Sequence, residues 1–235
     1  MKFVIPFFLI ITISFTSSAQ LGKLKKAINK VSGGELSTEE VASGLKEALE
    51  KGTSKGTDKA SKSDGYFKNP AIKILFPPDA QEVEKKLRAI GMNKQVDRFI
   101  LSLNRAAEKA AKEAKPIFIT AIKSMTIEDA WGILKGENDA ATQYLNRTTS
   151  QQLFTKFNPI IKNALDAVDA TKYYGDLIEA YNKIPFVDKK DPDLDQYATD
   201  KSIDGLFTLI AQEEANIRNN PGARTSDLLK KVFGN

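Results

Sequence analysis

The chain has 235 residues, 41% hydrophobic and 28% charged, enough apolar content to bury a sizeable core without disulfides or metals. It has no cysteine and no histidine, which excludes thiolate nucleophiles, imidazole general bases, Ser-His triads and ordinary zinc or copper centres. Lysine and arginine number 35 against 30 aspartates and glutamates, a mild excess interspersed with acids, which argues for a solvated surface and no nucleic-acid partner.

In chain order, Met1-Lys2 gives a positive start, and Phe3 to Phe15 is an apolar run broken only by Thr12 and Ser14. Small residues follow at Ser17-Ser18-Ala19. This pattern predicts a signal peptide over residues 1–19, cut between Ala19 and Gln20. The run falls short of the roughly 20 residues a membrane span needs. The expected location is the periplasm of a Gram-negative bacterium, or outside the cell. No cysteine near the cut excludes a thioether lipid anchor. Residues 20–35 form a basic arm in which Leu21, Leu24, Ile28 and Val31 recur at helical spacing between Lys23, Lys25, Lys26 and Lys30. Such a segment reads as a terminal arm docked on the domain, or as a peripheral-membrane or partner helix.

Residues 36–235 are expected to form a single all-α domain: an irregular bundle of about seven to nine helices with at most one short extended segment. Ser37 and Glu40 make a capping box for a helix carrying Val41, Leu45 and Leu49. Beyond Lys51, a basic face (Lys51, Lys55, Lys59, Lys62) opposes a small-residue face (Gly52, Gly56, Ala60). Each glycine there costs about 1 kcal/mol against alanine, so this half needs tertiary contacts. Asp64-Gly65 marks a turn, and prolines bracket residues 71–76 as an extended segment or lone edge strand. A helix with Val83, Leu87 and Ile90 stops at Gly91. Residues 93–124 carry the strongest stripe (Val96, Phe99, Ile100, Leu103, Ala106, Ala107, Ala110), interrupted at Pro116. Thr126 with Asp129 caps a short helix, and Asn138 or Asp139 opens another over 140–145, with Asp139 as its expected cap. Thr149 or Ser150 starts a further helix, Tyr173–Tyr181 another, Ile203–Ile217 the last long one, and Ser226 caps a terminal turn.

Four constellations could carry chemistry. Asn104, Arg105 and Glu108 sit at the edge of an apolar stripe. Glu213 falls within one, so it must be paired or protonated; Arg105 is a candidate partner for it or for Glu214, and Glu214 can also pair with Arg218 one turn on. Asp139 and Thr142 crowd a helix N-terminus. Asp191, Asp193 and Asp195 match the first three ligands of an EF-hand loop, but Gln196 stands where glycine belongs and Ser202 where the closing glutamate belongs. A solvated acidic loop is the reading there, with calcium as its alternative; no other cofactor is indicated.

Several motifs also resemble a known family. Asp64-Gly65-Tyr66-Phe67, Asn69-Pro70, Leu103–Glu108, Ala121–Thr126, Asp139–Tyr144, Asp204–Phe207, Glu213-Glu214 through Arg218 to Asn220-Pro221, and Lys231–Gly234 are similar in order and spacing to the bacterial domain of unknown function 4197 family. Leu103 and Leu145 depart from its pattern, where Met and Phe are expected. The resemblance covers about residue 40 to the C-terminus and implies an exported helical protein with no assigned activity. The resulting expectation is a non-enzymatic binding or interaction protein with an unidentified ligand or envelope partner. Its site would be a convergence of Asn104, Arg105, Glu108, Asp139, Thr142, Glu213, Glu214 and Arg218. The alternative is a carboxylate-dependent hydrolase of an envelope polysaccharide, which needs two acids facing a cleft.

Overall fold

The computed structural model describes residues 37–89, 91–182, 186, 189 and 193–233. The expected signal peptide, the basic arm with Lys23, Lys25, Lys26 and Lys30, and Asp191 lie outside the described residues. The contacts divide the chain into Met1–Ser37 and Thr38–Asn235, and every described helix belongs to the second unit. Among the described residues there are nine α-helices and no strand: α1 (Thr38–Ala60), α2 (Gln81–Ala89), α3 (Asn93–Ala111), α4 (Ala114–Ser124), α5 (Ile127–Lys135), α6 (Ala140–Asp166), α7 (Ala170–Asn182), α8 (Leu194–Asn219) and α9 (Asp227–Phe233). This is the expected all-α bundle.

The centre is α8, which packs against α1, α3 and α6. The core runs continuously through Leu45, Leu103, Phe118, Ile122, Leu145, Phe157, Ile161 and Leu206, all essentially inaccessible to water. The small-residue face of α1 explains its second half. A methyl group placed on Gly56 would lie 3.3 Å from Ile210 Cγ1 and 3.4 Å from the Ile210 nitrogen, so α8 approaches α1 backbone to backbone. Close packing there offsets the propensity cost of two glycines.

Three boundaries differ from the sequence expectation. The break expected near Thr149 is absent, and α6 runs for 27 residues with Pro159 inside it. Thr149 and Ser150 do not cap; their hydroxyls donate to the carbonyls of Leu145 (2.6 Å) and Asn146 (2.7 Å), one turn back in the same helix. Helix α8 starts nine residues earlier than Ile203, at Leu194, because the Asp193 carboxylate accepts from the Gln196 N–H (2.9 Å). Residues 71–76 are not a strand. A side chain replaces the missing neighbour: Asn104 accepts from the Ile74 N–H (2.9 Å) and donates to the Ile74 carbonyl (2.8 Å). The expected stops held elsewhere. Pro116 lies in the first turn of α4, where its missing N–H costs little, and Thr126 and Asp129 form a reciprocal capping box on α5.

The loop between α1 and α2 is locked by Tyr66, which is fully buried and donates from its hydroxyl to the Ser202 carbonyl (2.5 Å). Its ring lies on Gly205, where an added methyl would stand 2.7 Å from Tyr66 Cε1 and 3.1 Å from Ile72 Cβ. Substituting Gly205→Ala therefore overpacks a closed site although alanine is the better helix former. We expect a net loss of about 1–2 kcal/mol in urea unfolding; unchanged or raised stability would contradict this packing.

Candidate functional site

The eight residues singled out in the sequence do not meet in one place; they divide among three junctions and one exposed position. The first junction joins the α1–α2 loop to α3. Glu108 is 4% exposed. Its Oε1 accepts from the N–H groups of Tyr66 (3.1 Å) and Phe67 (3.2 Å), and its Oε2 from Arg105 Nη1 (2.6 Å). Arg105 Nη2 donates to Asp64 Oδ1 (2.6 Å), and Lys68 pairs with Asp64 Oδ2 (2.8 Å). Asp64 sits at φ 68°, in the left-handed region that aspartate tolerates better than most residues. The hydrogen bonds from Lys68 and then Arg105 hold its carboxyl below the usual range. Burial pushes the Tyr66 phenol up, with the Glu108 charge adding to it. Asn104 completes the junction by holding Ile74.

The second junction joins α8 to the N-terminus of α6. Glu214 Oε1 accepts from the Ala141 N–H (3.0 Å), and Oε2 from the Thr142 N–H (2.9 Å) and hydroxyl (2.8 Å). Arg218 donates to Glu214 Oε1 from Nε (3.0 Å) and Nη2 (2.8 Å), and from Nη2 to the Ile133 carbonyl (2.9 Å). A carboxylate from a distant helix thus satisfies the first N–H groups of α6. This corrects the expectation that Asp139 caps that helix. The outward N–H groups are already taken by a buried charged acceptor, so Asp139 turns to solvent and accepts from Gln143 Nε2 (2.8 Å). Beside the junction, α1, α8, Ala141 and the Phe233 ring line a partly open, mainly apolar cavity of about 20 Å³, room for about one water.

The third junction ties α8 to α1. Glu213 is 4% exposed and pairs with Lys55 (2.6 Å) and with Lys59. Arg105, the candidate partner of Glu213 or Glu214, meets neither and is engaged with Asp64 and Glu108 instead. Burial raises the Glu213 carboxyl, but the hydrogen bonds from Lys55 and Lys59 outweigh it and leave it below its ordinary value. Sequence reasoning singled out the lysine face but not its acceptor: helical spacing shows which residues share a face and is silent on which helix packs opposite.

Of the acidic loop, Asp193 and Asp195 are also engaged. Asp193 caps α8, and Asp195 accepts from Lys162 Nζ (2.9 Å) and Thr171 Oγ1 (3.2 Å). Among the described residues no three acids lie close enough to hold a metal ion. Chemically, Glu108 and Glu214 act as buried acceptors with donors on both oxygens. They suit holding backbone N–H groups, and neither presents a free oxygen to a solvent-open cleft.

The motifs quoted for the family resemblance fall largely on these junctions: Asp64–Phe67, Asn104–Glu108 and Gly205 on the first, Ala141, Thr142, Glu214, Arg218 and Phe233 on the second. The family model described as "Protein of unknown function (DUF4197)" matches residues 35–234. No curated protein and no solved structure matches the chain.

Two outcomes follow from the geometry. Glu214→Gln leaves Arg218, whose side chain is 11% exposed, without its counter-charge, and should cost about 3 kcal/mol in urea unfolding, whereas Asp139→Asn should stay within about 0.5 kcal/mol. Equal costs would contradict the capping assignment. The Glu213 carboxyl is depressed in the folded protein, so its contribution is full above the ordinary carboxylate value of 4.5 and is lost as pH falls through its lower folded value. Glu213→Gln should flatten the acid limb of the stability–pH curve below pH 4.5; an unchanged limb would contradict the Lys55–Glu213–Lys59 clamp.

Proposed function

This chain belongs to the DUF4197 family, and on that premise we propose that it is an exported, non-enzymatic interaction protein of the cell envelope. The observation that carries this reading is the state of Glu108 and Glu214. Both are buried carboxylates, and each is occupied by donors from within the fold. With its polar interior committed to holding helices together, the protein is left with its surface as the means of binding. Export is supported by the charge, apolar run and small residues of positions 1–19. No described helix is long and apolar enough to cross a membrane.

The test is to express the full chain in a Gram-negative host, fractionate the cells, and measure the intact mass. The expected result is accumulation in the periplasmic fraction with a mass beginning at Gln20. Retention in the cytoplasm with Met1–Ala19 attached would overturn the export reading. The same material incubated with isolated peptidoglycan should release no new reducing ends or soluble fragments. Release that Glu108→Gln, Glu213→Gln or Glu214→Gln abolishes in a variant that remains folded would overturn the non-enzymatic reading in favour of a carboxylate hydrolase.

A further inference from the structure

The last helix is attached to the bundle differently from the others. Helix α9 packs chiefly on α1, and of its seven residues only Leu229 and Val232 are buried. Leu229 sits with Ala48 and Ile217 in a small apolar cluster separate from the main core, flanked by half-buried Ala223 and Phe233. The partly open cavity of about 20 Å³ marks the seam between the two. Its lining draws on Leu45, Leu49 and Ile210 of the main core and on Ala48, Ile217 and Phe233 of the small cluster. Atoms that face a void lack dispersion partners on that side, so the seam is weakly held.

The polar ties gather at the near end of this segment. Arg224 clasps the end of α8, donating from Nε to the Ile217 carbonyl (3.2 Å) and from Nη2 to the Arg218 carbonyl (2.8 Å). Next to it, Lys51 donates to Thr225 Oγ1 (2.9 Å), and Glu47 shares a hydrogen bond with Ser226. At the far end the Phe233 ring faces the Arg218 guanidinium at 6.0 Å, the limit of a cation–π contact. Seating α9 also needs a glycine on α1. A methyl group placed on Gly44 would lie 2.7 Å from Val232 Cγ2 and 3.0 Å from Leu228 Cγ, and its third neighbour is again Leu228. Gly44 is buried inside α1, where alanine is the better helix former. Close seating of α9 therefore requires the less favourable residue in α1.

We propose that residues 225–233 form a strap that opens as one unit while the rest of the bundle stays folded, with Arg224 as its hinge and Gly44 as its latch. A segment held by few buried apolar contacts opens at lower free energy than the whole domain. Opening widens the cavity and uncovers Ala48, Ile217 and the Arg218 guanidinium, so the strap gates an apolar seam with a cation beside it. The Glu214 junction survives the opening, because its donors come from α6 and α8 and none from the strap. The inference is independent of export and of the non-enzymatic reading.

The test is native-state hydrogen exchange on the purified protein. The N–H groups of Leu229 and Lys230, bound to the Ser226 hydroxyl (3.2 Å) and carbonyl (3.1 Å), report the strap; those of Leu103 and Ala141 report the bundle. In the parent, Leu229 and Lys230 should exchange at least about tenfold faster than Leu103, with a weaker dependence on dilute urea because less surface is exposed. Gly44→Ala should lower protection at Leu229 and Lys230 by a further factor of about ten, the usual size of an overpacking effect. The same substitution should leave Leu103 and Ala141 as protected as before or more so. Gly56→Ala is the control in the same helix: its methyl would meet Ile210 of α8 and no strap atom, so protection at Leu229 and Lys230 should not change. Leu229→Ala, made on the strap itself, should lower strap protection and leave the urea midpoint of the bundle in place. Protection of Leu229 and Lys230 equal to that of Leu103 in the parent would overturn the strap, as would a lowered bundle midpoint in Leu229→Ala. Equal loss at all four amides in Gly44→Ala, no loss at any, or an equal strap effect from Gly56→Ala would overturn the latch.

Discussion

The fold depends on one constraint, that a buried carboxylate must have donors on both oxygens. Glu108 meets it with two backbone N–H groups from the α1–α2 loop and one guanidinium from its own helix. Glu214 meets it with two backbone N–H groups and a hydroxyl from α6, and again a guanidinium from its own helix. The two junctions share a plan: an acid on one helix, an arginine three or four residues along to balance it, and the backbone of a distant segment as the thing held. The arginine donates to the acid and the acid fixes the segment. A charged acceptor makes a stronger bond to an N–H than a neutral one, which suits loops and helix ends with no sheet to hold them.

This plan explains why the loop between α1 and α2 can be ordered without regular structure. Residues 61–77 have few partners of their own. Tyr66 plugs the core against Gly205, its N–H and that of Phe67 rest on Glu108, and Ile74 rests on Asn104. These contacts come from two helices, Glu108 and Asn104 from α3 and Gly205 from α8, so the loop ties α3 and α8 together while they fix it. Groups that look reactive in the sequence are thus fasteners of the fold.

Much of the fold was legible in the sequence because it rests on local rules. The stripe from Val96 to Ala110, the split before Pro116 and the box of Thr126 with Asp129 depend on residues a turn or two apart, and the structure reproduces them. The misses have a common cause. Thr149 and Ser150 looked like helix starts because their hydroxyls can cap, but an uninterrupted helix lets the same hydroxyls bond back to Leu145 and Asn146. Asp139 looked like a cap because the competing acceptor, Glu214, lies more than 70 residues away. Pairings were harder still. The sequence requires that Glu213 be neutralised, but only the packing of α1 on α8 decides that Lys55 and Lys59 do it rather than Arg105.

The central claim is that Glu108 and Glu214 are fasteners on which the cooperative structure rests. Native-state hydrogen exchange tests it most directly, by following the amides these carboxylates hold: Tyr66 and Phe67 for Glu108, Ala141 and Thr142 for Glu214. The account predicts that all four exchange only through global unfolding, with protection equal to that of core amides such as Leu103 and Leu206. Rapid exchange at these four amides with the core still protected would mean that the junctions open locally, and would return both carboxylates to the list of groups free to meet a ligand.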